Sequence, residues 1–334
     1  MEAGAGAVEG VALSGSRGRT VLVTGAYGLL GSWLAKALVE ARARVVVLRR
    51  DRHARSALLD LEGRVDVVDG DVSSPGLIER VLAEYEVSGV FHLAAQTQVG
   101  AAVRAPVPTF EANVRGTWLV LEACRLTGVE RVVVASSDKA YGRHVELPYT
   151  EEHALRAVYP YDVSKAACDM LARSYWHTFG LPVAVTRFAN LYGGGDLNRS
   201  RLIPEAVCAA LEGRAPVIRS DGTPERDFLY VEDAVRAYLA IWEALGHGQA
   251  CGEAFNAGSG TPVRVRDVVE LICRLAGAAV EPDIRGTGTP EGEIDRQWVD
   301  STKLMTLTGW RPDVSLEDGL RRTIAWYREH GAPS

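Results

Sequence analysis

From Thr20 onward the chain alternates short apolar runs with longer stretches in which apolar residues return at helical spacing. The runs at residues 21–24, 45–48, 65–68, 89–93, 131–135 and 183–187 are mostly Val, Leu, Phe and Ala, with little regular polar alternation. A strand covered on both faces needs that pattern, whereas a half-exposed strand would alternate. Helical periodicity fills the intervals, most clearly at 32–41, 75–85 and 113–126. Strands alternating with helices predict right-handed crossovers and a Rossmann-type α/β fold, a doubly wound parallel sheet.

Past residue 187 the pattern changes. Residues 190–196 are glycine-rich, 213–227 read as loop, and beyond 258 come short elements ending in an amphipathic stretch at 316–330. This predicts a smaller C-terminal α/β substrate-binding lobe over the carboxyl edge of the sheet, where such folds bind ligands. The expected division is a dinucleotide-binding domain at 19–188 with a returning segment at about 227–258, and a lobe from 189–226 and 259–334. Residues 1–18 are rich in small residues and lack a basic start followed by an apolar block. They are expected to be a disordered tail and not a signal peptide.

Composition narrows the class. A net charge of −6 argues against a general nucleic-acid binder, and no apolar run is long enough to span a bilayer. Five scattered cysteines with no C-x-x-C are expected as free thiols in a reducing cytoplasm, with no metal site.

Candidate chemistry starts where the first strand meets its helix. Gly25, Gly28 and Gly31 lie there, and glycines at that junction allow a tight turn, close approach to a pyrophosphate and close helix–sheet packing. The helix N-terminus adds free N–H groups for the phosphates. Tyr27 and Leu29 share the turn and are expected cofactor contacts; a packing turn without ligand is the bland alternative. After the second strand stand Arg49 and Arg50, which suit a 2′-phosphate and favour NADP over NAD, unless they are merely solvated and Asp51 holds the ribose. Asp71 and Val72 are placed to cap the adenine side. Leu93, Ala94 and Ala95 are small enough, or near enough to small residues, to let a cofactor lie against backbone, and His92 reads as a structural histidine.

Two further motifs carry reactive groups. Ser137-Asp138-Lys139 follows the fifth strand, and Tyr161 precedes Lys165 by one helical turn. The chain has four lysines, Lys36, Lys139, Lys165 and Lys303, so half of them fall in these motifs. A lysine can lose its proton when desolvated or set near other cations; an arginine cannot.

Thr-Gly-x-x-Gly-x-x-Gly (24–31), His-Leu-Ala-Ala (92–95), Asn-x-x-Gly-Thr (113–117), Ser-Ser-x-x-x-Tyr-Gly (136–142), Tyr-x-x-x-Lys (161–165), Arg-x-x-Asn-x-Tyr-Gly (187–193), Arg-Asp-Phe-Leu-Tyr-Val-Glu-Asp (226–233) and Gly-Trp-Arg-Pro (309–312) occur in order. In this the chain resembles an extended short-chain dehydrogenase/reductase of the nucleotide-sugar epimerase/dehydratase family, over about residues 19–330. The resemblance implies that Tyr161 takes a sugar hydroxyl proton as hydride moves to the nicotinamide. Lys165 would lower the phenol and hold the nicotinamide ribose, and Ser137 would donate to the same oxygen. Asn113 would join the cofactor contacts. Gln96, Asn190, Arg219, Arg226 and, less directly, Arg296 would meet the substrate.

The residues after Ser137 separate the reactions within such a family. Its 4-epimerases usually carry small or non-ionisable residues there, and its 4,6-dehydratases an acid–base pair. Asp138-Lys139 resembles the pair of CDP-glucose 4,6-dehydratases, while Arg49-Arg50 looks more like GDP-mannose dehydratases. The resemblance therefore implies a nucleotide-sugar 4,6-dehydratase with Asp138 as acid and Lys139 as base, bound NAD or NADP regenerated each cycle, in a cytoplasmic homodimer paired through the helices of the dinucleotide domain. Competing readings are a 4-epimerase, with Asp138-Lys139 a structural ion pair, and a non-catalytic NADP-binding sensor.

Overall fold

The computed structural model describes residues 15–51, 56–289 and 293–331. Most of the tail expected at 1–18 lies outside that range, but its last residues, 15–18, are a correction. They form a turn in which the Gly15 amide donates to Glu243 at 3.0 Å and Ser16 is fully buried.

The first half runs β1 (Thr20–Thr24), α1 (Leu29–Glu40), β2 (Arg44–Arg49), β3 (Asp66–Asp69), α2 (Leu77–Glu84), β4 (Gly89–His92), α3 (Val99–Arg104), α4 (Pro106–Phe110), α5 (Gly116–Thr127), β5 (Arg131–Ala135), α6 (Pro160–Phe179) and β6 (Val183–Phe188). The second half adds β7 (Asn190–Tyr192), α7 (Leu202–Leu211), β8 (Val217–Ile218), β9 (Glu225–Arg226), β10 (Phe228–Tyr230), α8 (Val231–Gly246), β11 (Ala254–Ala257), β12 (Val263–Arg264), α9 (Val265–Ala276), β13 (Asp283–Ile284), β14 (Arg296–Gln297), α10 (Thr302–Thr308) and α11 (Leu316–His330).

Seven parallel strands make the main sheet in the order β11-β6-β5-β4-β1-β2-β3. The order reverses between β1 and β4, which opens a crevice at their carboxyl ends. The unbroken apolar runs follow from this arrangement. Val21 and Val23 face one layer, with Leu34 and Leu38 of α1 and Leu239 and Trp242 of α8. Leu22 faces the other, with Val81 of α2, Leu121 of α5 and Ala172 of α6. Each such side chain contributes about 1.5–3 kcal/mol through burial. A third core joins Val207 of α7, Ile272 of α9 and Ile324 of α11 to Tyr192 and Tyr230, and forms the smaller lobe.

α1 begins three residues before the stretch expected at 32–41, because Gly28 opens the helix directly. The helix expected at 113–126 is instead a longer helical stretch interrupted by a π turn at Glu111–Arg115, the kind of bulge that recurs at functional sites.

Candidate active site

Gly25 has φ +71°, a backbone conformation that an L side chain rarely adopts, and a Cβ there would sit 2.7 Å from the Ala94 amide nitrogen. A Cβ on Gly31 would lie 2.3 Å from the Gly25 carbonyl oxygen, so this glycine lets α1 close onto β1. Gly28 differs: its imagined Cβ meets only the Gly25 oxygen, at 3.4 Å, and the helix has no side-chain cap. The open cradle and the free first-turn N–H groups of α1 fit a dinucleotide diphosphate. Leu29 offers that site its backbone, since its side chain is buried in the lobe core. Tyr27 accepts through its carbonyl from the Ser56 hydroxyl at 2.9 Å.

The arginines at the end of β2 both have carboxylate partners. Arg49 forms a forked pair with Asp69 at 2.5 and 2.8 Å, and Arg50 pairs with Asp51 at 2.6 Å. Asp71 accepts from the amide and hydroxyl of Ser73, at 2.8 and 2.7 Å. The Val72 side chain belongs to the core, against Gly116, which leaves its backbone for the adenine side.

A buried polar chain links the ends of β1 and β4 to α6. Thr24 Oγ1 accepts from the Leu93 and Ala94 amides, both at 3.1 Å, and so gives its own proton to His92 Nδ1 at 2.9 Å. His92 Nε2 then donates to Thr117 Oγ1 at 3.0 Å, whose hydroxyl donates to the Asn113 carbonyl. Burial, with Lys165 nearby, pushes His92 down to about 3, which keeps it neutral and structural. Asn113, expected against the cofactor, is spent inside the protein. Its amide group accepts from the Gln96 amide at 2.7 Å and donates to the Gln96 carbonyl and the Ser164 hydroxyl at 3.1 and 2.8 Å. Ala95 and Gln96 follow as half-buried residues, with Gln96 Nε2 donating to Gln98 and Thr109. A second buried link, Arg187 forked onto Asp169 at 2.7 and 2.9 Å, fixes α6 to β6. Breaking such a pair from one side costs about 3–5 kcal/mol.

Ser137 caps a short 3-10 turn, Asp138–Tyr141, accepting from the Lys139 amide at 3.2 Å and donating to Asp138 Oδ1 at 3.0 Å. Asp138 is 3 % exposed, and its other oxygen, Oδ2, is buried without a partner. Burial raises its carboxyl to about 6 against the opposing pull of Lys139, Ser137 and Arg226, with Asp227 adding to the rise. The charge of Lys139 is felt by two carboxylates, Asp138 and Asp162.

Tyr161 corrects the expectation of a lowered phenol. It is 8 % exposed, and burial pushes it up to about 12; Arg201 and a hydrogen bond with Ser137 work against that rise, while Asp138 and Asp162 add to it. The Lys165 ammonium points to the Ala135 carbonyl at 2.8 Å, and burial lowers its pKa. Desolvation outweighs the neighbouring charges here.

On the lobe side, Asn190 donates to the Asp227 carbonyl at 3.1 Å, and Arg226 pairs with Glu293 at 3.0 Å while its charge reaches Asp138. Arg219 is exposed. Arg296 is exposed, pairs with Glu225 at 2.8 Å and stacks over Trp298, so neither joins the cluster. Three residues that sequence reasoning missed do join it: Asp162, Arg201 and Asp227. Arg201, held by Asp196 at 3.1 Å, sits in a loop with no fixed spacing to Tyr161. Asp162 was hidden inside a motif read only for its ends.

A model of the NAD dependent epimerase/dehydratase family matches residues 21–258. A dTDP-glucose 4,6-dehydratase of Escherichia coli is 32% identical over 337 residues, covering 92% of each chain. The crystal structure of a dTDP-glucose 4,6-dehydratase from Streptomyces venezuelae with NAD and TYD bound superposes with TM-score 0.84 at 31% identity, covering 93% of this chain and 97% of that one. A UDP-glucose 4-epimerase from Thermotoga maritima with UDP-glucose gives TM-score 0.86 at 30% identity, covering 93% and 99%. The chain spans about half the length, 47%, of a trifunctional UDP-glucose 4,6-dehydratase, 3,5-epimerase and reductase of Arabidopsis thaliana that it also matches at 31% identity. No helix among the described residues is long and apolar enough to cross a membrane.

Proposed function

The chain belongs to the NAD-dependent epimerase/dehydratase family, and from that premise we propose that it is a nucleotide-sugar 4,6-dehydratase. The observation that carries this reading is Asp138, a fully buried carboxyl with one orphaned oxygen, in direct hydrogen bond to Ser137 and electrostatically coupled to Tyr161. An epimerase has no use for such a group; an elimination does. Bound NAD would accept hydride from C4 of the hexose and return it to C6. Tyr161 takes the C4 hydroxyl proton, with Ser137 on the same oxygen and Lys165 one turn along α6. Lys139 then removes the C5 proton, the C5–C6 double bond forms, and the C6–O bond breaks as Asp138 hands its proton to the departing oxygen, releasing water. When hydride comes back to C6, Lys139 returns a solvent-exchanged proton to C5, and the proton held by Tyr161 passes through solvent to Asp138. A carboxyl that titrates near 6 is still partly protonated at neutral pH and able to do so.

The lobe formed by 189–226 and 259–331 would hold the nucleotide sugar, with Arg226 and Asn190 toward the diphosphate. Gly25, Gly28, Gly31, Tyr27 and Leu29 would hold the dinucleotide diphosphate, with Asp71 toward the adenine side and Leu93, Ala94 and Ala95 beside the backbone-lined crevice.

The ion pairs favour NAD over the NADP expected from Arg49 and Arg50. Asp69 and Asp51 set negative charge where a 2′-phosphate would lie, beside the guanidiniums that would receive it. Arg49→Ala is therefore expected to change NAD and NADP affinity by similar small factors in titration calorimetry. A selective loss of NADP would restore the 2′-phosphate reading.

A homodimer is proposed on the outer faces of α4, α5 and α6, where Phe110, Trp118, Val163 and Met170 are 37%, 42%, 37% and 66% exposed. Met170→Glu should turn the sedimenting species into a monomer; an unchanged mass would place the interface elsewhere. A cytoplasmic location accompanies the proposal.

The test of the dehydratase reading itself is product analysis with a panel of nucleotide hexoses in heavy water. The epimerase reading keeps its standing from the likeness to the Thermotoga enzyme, and the same assay separates the two.

A further inference from the structure

Tyr141 nearly closes the motif at 136–142, and the scheme above gives it no role. It is the last residue of the 3-10 turn that starts with Asp138 and Lys139, and its side chain is fully buried. The bland explanation is filling: Tyr141 packs with Tyr149, Ala189 and Val299, and its ring stacks on that of Tyr149 with centroids 4.9 Å apart. A phenylalanine would fill that space as well. The hydroxyl is what needs explaining, because a buried phenol must find partners, and this one finds them on two other elements. It donates to Asn256 Oδ1 of β11 at 2.7 Å and accepts from Arg187 Nη1 of β6 at 3.1 Å. Burial pushes the phenol up to about 12 against the pull of Arg187, so it stays protonated and able to donate.

Both partners are themselves held. The Asn256 side-chain nitrogen donates to the Tyr149 carbonyl at 3.0 Å, and the Asn256 backbone N–H donates to Glu151 at 2.7 Å. The Tyr149 hydroxyl returns to the Gly142 carbonyl at 2.6 Å, at the end of the turn. Arg187 is forked onto Asp169, which lies one helical turn beyond Lys165 on α6. One guanidinium therefore touches both reactive elements: the turn with Asp138 and Lys139, through Tyr141, and the helix with Tyr161 and Lys165, through Asp169. We propose that Tyr141 is a positioning residue: its hydroxyl fixes the far end of the 3-10 turn to Arg187 and Asn256, and so holds Asp138 and Lys139 at a set place relative to α6. The inference rests on the dehydratase reading for the step that this placement serves.

Tyr141→Phe keeps the stacked ring and removes the hydroxyl. The fork from Arg187 to Asp169 does not need Tyr141, so α6 should stay in place while the turn loosens. Elimination needs Asp138 and Lys139 set against the sugar, and a displacement of about 1 Å costs about 10²-fold in rate. Deuterium entry at C5 from heavy water should therefore slow by about 10–10²-fold. C4 oxidation, read as the rise in nicotinamide absorbance on mixing with substrate, should change by less than about threefold, because its groups keep their places. A loss shared equally by the two steps, a larger loss in C4 oxidation, or no loss at C5 overturns the proposal.

A second readout does not need turnover. The turn is closed by its own amides, Ala140 donating to the Ser137 carbonyl and Gly142 to the Lys139 carbonyl, both at 3.1 Å. In Tyr141→Phe, hydrogen exchange at 138–142 should quicken by about tenfold, the effect of losing one hydrogen bond from the local opening equilibrium, while β4 exchanges as in wild type. Equal acceleration in both segments, or none, marks Tyr141 as an ordinary core residue and overturns the proposal. If the wild-type enzyme dehydrates no nucleotide sugar, the parent reading fails, and this exchange still decides whether the hydroxyl holds the turn.

Discussion

Tyr161→Phe is expected to lower turnover by about 10²–10⁴-fold, the contribution of a positioned acid–base group. The folded state and dinucleotide binding should survive. The phenol ring lies in a packed environment at 8 % exposure, so Phe keeps the shape and removes only the hydroxyl. Because burial holds the phenol near 12, the wild-type rate should climb with pH until another group fails. In the variant that climb should disappear. Stopped-flow absorbance of the nicotinamide checks both points, and a variant that still reduces the cofactor at the wild-type rate would remove Tyr161 from the chemistry.

Asp138→Asn should separate activity from stability. Elimination should fall by about 10²–10⁴-fold, since the amide has no acidic proton to give. Yet the variant should be more stable than wild type at pH 7 to 8. The folded-state carboxyl titrates at about 6 instead of 3.8, so the folded chain holds this proton more tightly than the unfolded chain does. Below 3.8 both states are protonated and Asp138 carries no penalty. As pH rises from 3.8 to about 6 the unfolded state ionises first, and the folded state loses stability. Above about 6 the loss is complete, at about 2–3 kcal/mol from about 1.4 kcal/mol per pH unit. Asparagine avoids that loss, so Tm should exceed wild type at pH 8 and match it near pH 3.5. Equal stability at both pH values would show that Asp138 is not desolvated as the structure has it.

The parts of this protein that the sequence disclosed are those with fixed spacing. Unbroken apolar runs meant strands covered on two faces, and Val21, Leu22 and Val23 do alternate between two helical layers. Gly25 and Gly31 could be located because the strand-to-helix turn has no room for a side chain at either, and Gly28 between them leaves the cradle open. Legibility ended where partners come from distant segments. Arg49 looked like a phosphate ligand until Asp69, twenty positions on, was found pairing with it in the adjacent strand. Asn113 carried a motif, but its amide turned out to join Gln96 to Ser164, contacts no local pattern encodes. Burial was the other hidden variable. A tyrosine beside a lysine suggests a lowered phenol, but desolvation inside a closed cleft acts on Tyr161 more strongly, and Lys165 is turned to the Ala135 carbonyl.

The central claim is that Asp138 and Lys139 drive elimination after C4 is oxidised. Its most direct test is mass spectrometry and NMR of the products formed from UDP-, dTDP-, CDP- and GDP-hexoses in heavy water. The account predicts a 4-keto-6-deoxy product, lighter by one water than its substrate before isotope is counted, with a single deuterium at C5. A product of unchanged mass, inverted at C4 and free of deuterium, would contradict it, and Asp138 and Lys139 would then stand as a structural pair beside an epimerase site.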